Sequence, residues 1–221
     1  MKKILLFTIA VIFMQTAVFA QKTKIEITTD YGKIVLMLYD NTPKHRDNMI
    51  KLAKEHFFDS LLFHRVIPEF VIQGGDPNSK HAAAGANLGD GEHGNRIPAE
   101  INDVAYHKRG ALGMARDNNP EKASSGCQFY IVIGRKLTDQ DLDNIEKRGT
   151  RKFTAEQRAT YKTIGGTAFL DGGYTVFGEV LEGMDIVEKI AAEPRNAADR
   201  PNKDVHMLKV RVVKKKFLGV F

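Results

Sequence analysis

Phe63-His64-Arg65-Val66-Ile67-Pro68-Glu69-Phe70-Val71-Ile72-Gln73-Gly74-Gly75-Asp76-Pro77 runs one arginine and one glutamine through apolar β-formers and stops at a Gly-Gly turn. Such a stretch reads as a half-buried strand pair that presents polar groups over an apolar floor. Strand alternation puts Arg65 on one face with Ile67, and Val71 on one face with Gln73, so two polar groups can border one pocket. An arbitrary arginine in a strand more often lies on a solvated face. Three further blocks shift that balance.

Gly110-Ala111-Leu112-Gly113-Met114-Ala115-Arg116 reads as a short strand of small residues, and Ser124-Ser125-Gly126-Cys127-Gln128-Phe129-Tyr130-Ile131-Val132-Ile133 as a turn feeding a buried strand. Phe169-Leu170-Asp171-Gly172-Gly173-Tyr174-Thr175-Val176-Phe177-Gly178 is a turn and another strand. In this order, the blocks resemble the cyclophilin family of peptidyl-prolyl cis/trans isomerases, from about Lys24 to the C-terminus. The resemblance implies a mainly β fold: a closed antiparallel β-barrel capped by two helices, with its active groove on the outer surface.

It also implies the site. Arg65 and Gln73 fall on the catalytic positions. Phe70, Val71, Tyr130 and Leu170 form the socket for a proline ring, and Gln73 and Gln128 contact the substrate backbone and support the arginine. Ala115 and Arg116 match the peptide-binding segment, where Arg116 is expected to act through its backbone with its side chain free to vary. Phe169, Tyr174 and Gly85 complete the substrate-binding set. Phe169 stands where cytosolic members carry tryptophan, Tyr174 where they carry histidine, Val71 where they carry methionine, and Tyr130 replaces the common phenylalanine, adding a hydroxyl at the socket floor.

The chemistry suits these residue types. Amide resonance opposes rotation about an Xaa-Pro bond by about 18–20 kcal/mol. In the twisted state the prolyl nitrogen regains a lone pair, which a fixed, always charged donor such as Arg65 stabilises more than the planar ground state. No nucleophile, cofactor or metal is required. Seven histidines offer no HExxH or Cys/His cluster, and His64 reads as structural. Cys127 is the only cysteine, so no intramolecular disulfide is possible, and its place at the start of an apolar strand reads as a small inert thiol.

The N-terminus has the form of a secretory signal peptide: Lys2 and Lys3, an apolar run from Ile4 to Met14 interrupted by Thr8, then small residues to Ala20. The run is too short to span a bilayer, so cleavage between Ala20 and Gln21 and a periplasmic location without stable membrane insertion are expected. Residues 21–221 then make one domain. The formal charge of +6 includes Lys209, Arg211, Lys214, Lys215 and Lys216, which alternate with valines in part and read as a charged edge strand. No basic helix, zinc-finger spacing or tryptophan points to nucleic acid.

Around these blocks, Ile25–Thr29 and Lys33–Tyr39 predict a hairpin, Thr42 and Pro43 open a helix to about Glu55, and residues 78–96 read as loop with too little order for a phosphate cradle. Met184 to Ala192 predicts a second helix and Met207 to Lys215 a last strand. Between Arg135 and Gly166, Thr138 and Thr154 look like helix caps, so residues 136–166 read as a helical insertion beside the groove. The partners implied are proline-containing polypeptides, and nothing demands more than a monomer. A proline-peptide binding module or holdase is the alternative function, against which the intact Arg65, Phe70, Gln73 and Gln128 set argues.

Overall fold

The computed structural model describes residues 23–149 and 151–213. The signal-peptide segment, Gln21, and Lys214 to Lys216 lie outside these residues. β1 (Lys24–Thr29) and β2 (Gly32–Leu38) form the predicted hairpin, with Ile25 opposite Leu36 and Ile27 opposite Ile34. Every second residue turns inward: Ile25, Ile27, Ile34, Leu36 and Leu38 are fully buried. Each such side chain contributes about 1.5–3 kcal/mol by leaving water.

The remaining strands are β3 (Leu61–Leu62), β4 (Arg65–Ile67), β5 (Val71–Gly74), β6 (Ala111–Met114), β7 (Phe129–Val132), β8 (Val176–Glu182) and β9 (His206–Val212). They join β1 and β2 in one sheet of order β3-β9-β1-β2-β8-β6-β7-β5-β4, antiparallel at every pairing. The ladder of hydrogen bonds is not a continuous ring, as full closure would require. Its outer strands β3 and β4 are consecutive pieces of one stretch, parted only by Phe63 and His64, so the chain that pairs with β9 at its start pairs with β5 at its end. The sheet comes round on itself through that continuity. At the seam, loop carbonyls serve the free amides: Phe63 donates to Val205 and Val66 to Asp199, both at 2.9 Å.

Two helices cover the core. α1 (Pro43–Lys54) buries Met49, Leu52 and Ala53, and α4 (Met184–Ala191) buries Ile186, Val187 and Ile190. Thr42 holds the N-cap position of α1 but makes no capping bond. Glu100 does that work from a distant loop, its carboxylate accepting from the Lys44 and His45 amides at 3.0 Å and bonding His45 Nδ1 at 2.6 Å.

β9 departs from the charged edge expected of it. It lies between β1 and β3, a bulge leaves Leu208 exposed, and Arg211 is clamped by both oxygens of Asp59 at 2.7 Å.

Residues 136–166 carry α2 (Asp139–Arg148) and α3 (Ala155–Thr163), each opened by a full capping box: Thr138 with Asp141, and Thr154 with Gln157. Leu137, Leu142, Phe153, Tyr161 and Ala168 form a small core of their own beneath them. Apart from a 3₁₀ turn at Pro77–Ser79, the Gly-rich run to residue 96 is irregular, as its composition predicts.

Candidate active site

β4 and β5 pair so that Arg65 stands directly opposite Gln73 and Ile67 opposite Val71. Val66 and Ile72 turn into the main core, which leaves Arg65, Val71 and Gln73 on the outer face. There a cavity of about 140 Å³ is lined by Arg65, Phe70, Val71, Gln73, Ala115, Arg116, Tyr130, Leu170 and Tyr174. That volume is well below the roughly 300–1,000 Å³ of clefts for drug-sized ligands and suits one small ring. A larger cavity, about 510 Å³, lies between α2 and the turn carrying Phe169. The smaller one is the candidate site because it joins a cation to a socket of proline-ring size.

A line of amides fixes the arginine. Gln128 is buried and donates both amide hydrogens to backbone carbonyls, Gly89 at 2.8 Å and Gly91 at 2.7 Å. Its oxygen must therefore face Gln73, whose amide donates to it at 3.0 Å. That in turn leaves the Gln73 oxygen to accept from Arg65 Nη1 at 3.4 Å. Two carbonyls of the Gly-rich loop thus set the polarity of both glutamines. Gly91 leaves room there for Asp76, whose Oδ1 would lie 1.9 Å from a Cβ. On its other sides Arg65 faces Asp199, 3.8 Å from its Nε, and the Phe70 ring, 5.8 Å away.

The sequence-predicted residues do not all reach the cavity. Gln128 acts from behind Gln73. Phe169 is 60 % exposed and stacks on Phe70 at 5.7 Å outside the cavity's lining. Gly85 is not among the lining residues; it lies in a loop whose Ala83 and Ala86 carbonyls are held by Arg200. The Arg116 side chain is committed rather than free: Nε donates to the Gly173 carbonyl at 2.8 Å, Nη1 to that of Asp117 at 2.8 Å, and the guanidinium sits 4.8 Å over the Tyr174 ring.

The Tyr130 hydroxyl does not face the socket. It meets His107 Nε2 at 2.8 Å, and His107 Nδ1 meets Asp171 at 2.7 Å. The sequence reading missed His107 and Asp171, because their partners lie far away along the chain and neither forms a local motif. It also missed why Gly113 is small: it pairs with Tyr130 across β6 and β7, where a Cβ would come within 2.3 Å of the ring. Burial pushes the Cys127 thiol up to about 11, which suits an inert packing residue. Among the described residues no group of three or more His, Cys, Asp or Glu is placed to hold a metal ion.

A guanidinium stands at the mouth of a small socket on the outside of an antiparallel barrel, with room for one small ring. The family model described as "Cyclophilin type peptidyl-prolyl cis-trans isomerase/CLD" matches residues 24–212, and the chain belongs to that family. It is 33% identical over 183 residues to a "Putative peptidyl-prolyl cis-trans isomerase" of Staphylococcus haemolyticus, covering 82% of this chain and 87% of that protein. It is 36% identical over 185 residues to a "Putative bifunctional phosphatase/peptidyl-prolyl cis-trans isomerase" of Streptococcus pyogenes, covering 82% of this chain but spanning only 37% of that longer protein. Among solved structures, a cyclophilin type isomerase of Cryptosporidium parvum shares the fold with TM-score 0.66 and 21% identity, over 88% of this chain and 99% of that one. The same parasite protein has also been solved in the presence of the dipeptide Ala-Pro, with TM-score 0.65 and 21% identity, over 87% of this chain and 99% of that one.

Proposed function

We propose that this chain, a peptidyl-prolyl cis-trans isomerase by family, assists the folding of exported polypeptides by turning their Xaa-Pro bonds with Arg65. Phe70, Val71, Tyr130 and Leu170 hold the proline ring while the preceding carbonyl swings. Arg65 donates to the prolyl nitrogen as its lone pair returns, and Gln73 steadies the guanidinium and the substrate backbone. The observation that carries this reading is the oriented line from the Gly89 and Gly91 carbonyls through Gln128 and Gln73 to Arg65. A donor fixed before the substrate arrives costs no reorganisation at the transition state. A 10⁵-fold acceleration requires about 7 kcal/mol, within reach of charge stabilisation in a partly dry groove.

The test is prolyl cis/trans exchange in a proline peptide, followed by NMR with protein beginning at Gln21. Wild type should accelerate exchange, and Arg65→Ala should lose about 10²–10³-fold in kcat/KM, the usual toll of removing a preorganised donor. Binding without acceleration in the wild type would instead make the groove a holding module. The exported setting rests on the Lys2-Lys3 start, the Ile4–Met14 run and the small residues to Ala20. Among the described residues no helix is long and apolar enough to cross a membrane. A mass for the exported protein that still includes Met1 to Ala20 would overturn cleavage.

A further inference from the structure

Behind the proline socket, four buried side chains from distant parts of the chain meet in one line of hydrogen bonds. Tyr161 of α3 donates its hydroxyl to Asp171 Oδ2 at 2.6 Å. Asp171 Oδ1 accepts from the His107 amide at 2.8 Å and lies 2.7 Å from His107 Nδ1. His107 Nε2 lies 2.8 Å from the Tyr130 hydroxyl. None of the four is more than 4 % exposed. A carboxylate can only accept, so Nδ1 carries a proton, and with the imidazole neutral Nε2 accepts from Tyr130, whose ionisation burial pushes well up.

A phenylalanine at position 130 would fill the socket floor with no partner at all. The hydroxyl obliges the fold to bury an acceptor, and the acceptor is tied through Asp171 to a helix outside the barrel's main core. The ring has little slack: Gly113 backs it so closely that no Cβ fits, His107 lies parallel to it within 13°, and Tyr174 meets it edge-on at 6.1 Å. Asp171 also follows Leu170, another socket residue, in the same turn.

We propose that Tyr161, Asp171 and His107 are positioning residues that hold the Tyr130 ring in its substrate-binding orientation, so that α3 shapes the proline socket from behind. The proposal rests on the isomerase reading, because its effect is read in proline turnover. Tyr161 does not line the socket and reaches it through Asp171, which bonds His107 and follows Leu170. A line that only satisfied buried polar groups would affect stability and leave turnover alone.

The experiment is a double-mutant cycle on kcat/KM for a short proline peptide, using wild type, Tyr161→Phe, Tyr130→Phe and the double variant. Tyr161→Phe should lower kcat/KM about fivefold, mainly through KM, and less than about twofold in the Tyr130→Phe background, as coupled sites require. No effect in the wild type, or an equal effect in both backgrounds, overturns the proposal. A second readout needs no catalysis: the His107 ring ¹⁵N resonances and the Tyr130 hydroxyl proton should move in Tyr161→Phe, with proline-peptide Kd weakened in step. Unmoved resonances overturn the proposal even in a folded variant. A wild type that binds the peptide without turning it over defeats the isomerase reading alone, and the Kd series then judges the line.

Discussion

His64 sits one residue before Arg65 and is 3 % exposed, and neither ring nitrogen has a partner among the described residues. Burial lowers its pKa to about 4, with the Asp76 charge opposing and the Arg65 and Arg200 charges adding to the shift. In the unfolded chain the ring titrates near 6.5. Between those values the unfolded chain binds a proton that the folded chain refuses, so stability falls as pH drops from about 6.5 towards 4. The total is about 3 kcal/mol. Urea unfolding at pH 7 and pH 4 should therefore show a steeper loss in wild type than in His64→Gln, by about that amount. Equal losses would place a compensating partner on the ring. The sequence assigned His64 a structural part from its neighbours alone, whereas its lowered pKa comes first from burial and is modulated by the charges of Asp76 and Arg200, which no local pattern brings to it.

α1 shows how an element's ends can be settled from elsewhere. Thr42 followed by Pro43 predicts a side-chain cap, and the helix does start there, yet the first free amides go to Glu100. The His45 amide, ring nitrogen and Glu100 carboxylate then form one unit, and the second ring nitrogen bonds Ser124 at 3.0 Å. Glu100→Ala should cost about 1–3 kcal/mol, since it strands two amides and a buried imidazole, while Thr42→Ser should cost little. Reversed magnitudes in denaturant melts would return the cap to Thr42. The contrast with α2 and α3 explains what was legible: their caps are reciprocal within four residues, so Thr138 and Thr154 announce them, whereas a carboxylate 55 residues from its target leaves no such trace. The strands were legible for the same reason, because Arg65 and Gln73 meet across one short turn, while the carbonyls that aim them come from a loop read only as irregular.

At the scale of the molecule, the described residues form one large core and two smaller clusters, and their division bears on the socket. The large core holds the inner face of the sheet with α1 and α4; a second cluster around Val71, Tyr130 and Val176 underlies the socket; the third, under α2 and α3, is built from Leu137, Leu142, Phe153, Tyr161 and Ala168. The third meets the rest of the molecule through the bridges of Gly166 to Lys108 and Arg135, the Tyr161–Asp171 bond, the Tyr106–Thr160 hydroxyl pair, and the bonds of Gln157 and Arg151 to the Asp103 carbonyl. So small a core, tied largely to loop segments, makes α2 and α3 an opening unit of low free energy beside strands that pair on both sides. Native-state hydrogen exchange should therefore find their amides opening at least about 2 kcal/mol below those of β1, β2 and β8, with a weaker denaturant dependence. If α3 exchanged only with global unfolding, the helices would belong to the barrel's own cooperative unit. Local opening instead makes the socket floor conditional: each time α3 lifts, Asp171 loses the Tyr161 hydroxyl and the line to Tyr130 loses one end, so the population of the closed unit sets the fraction of molecules with a fully braced socket.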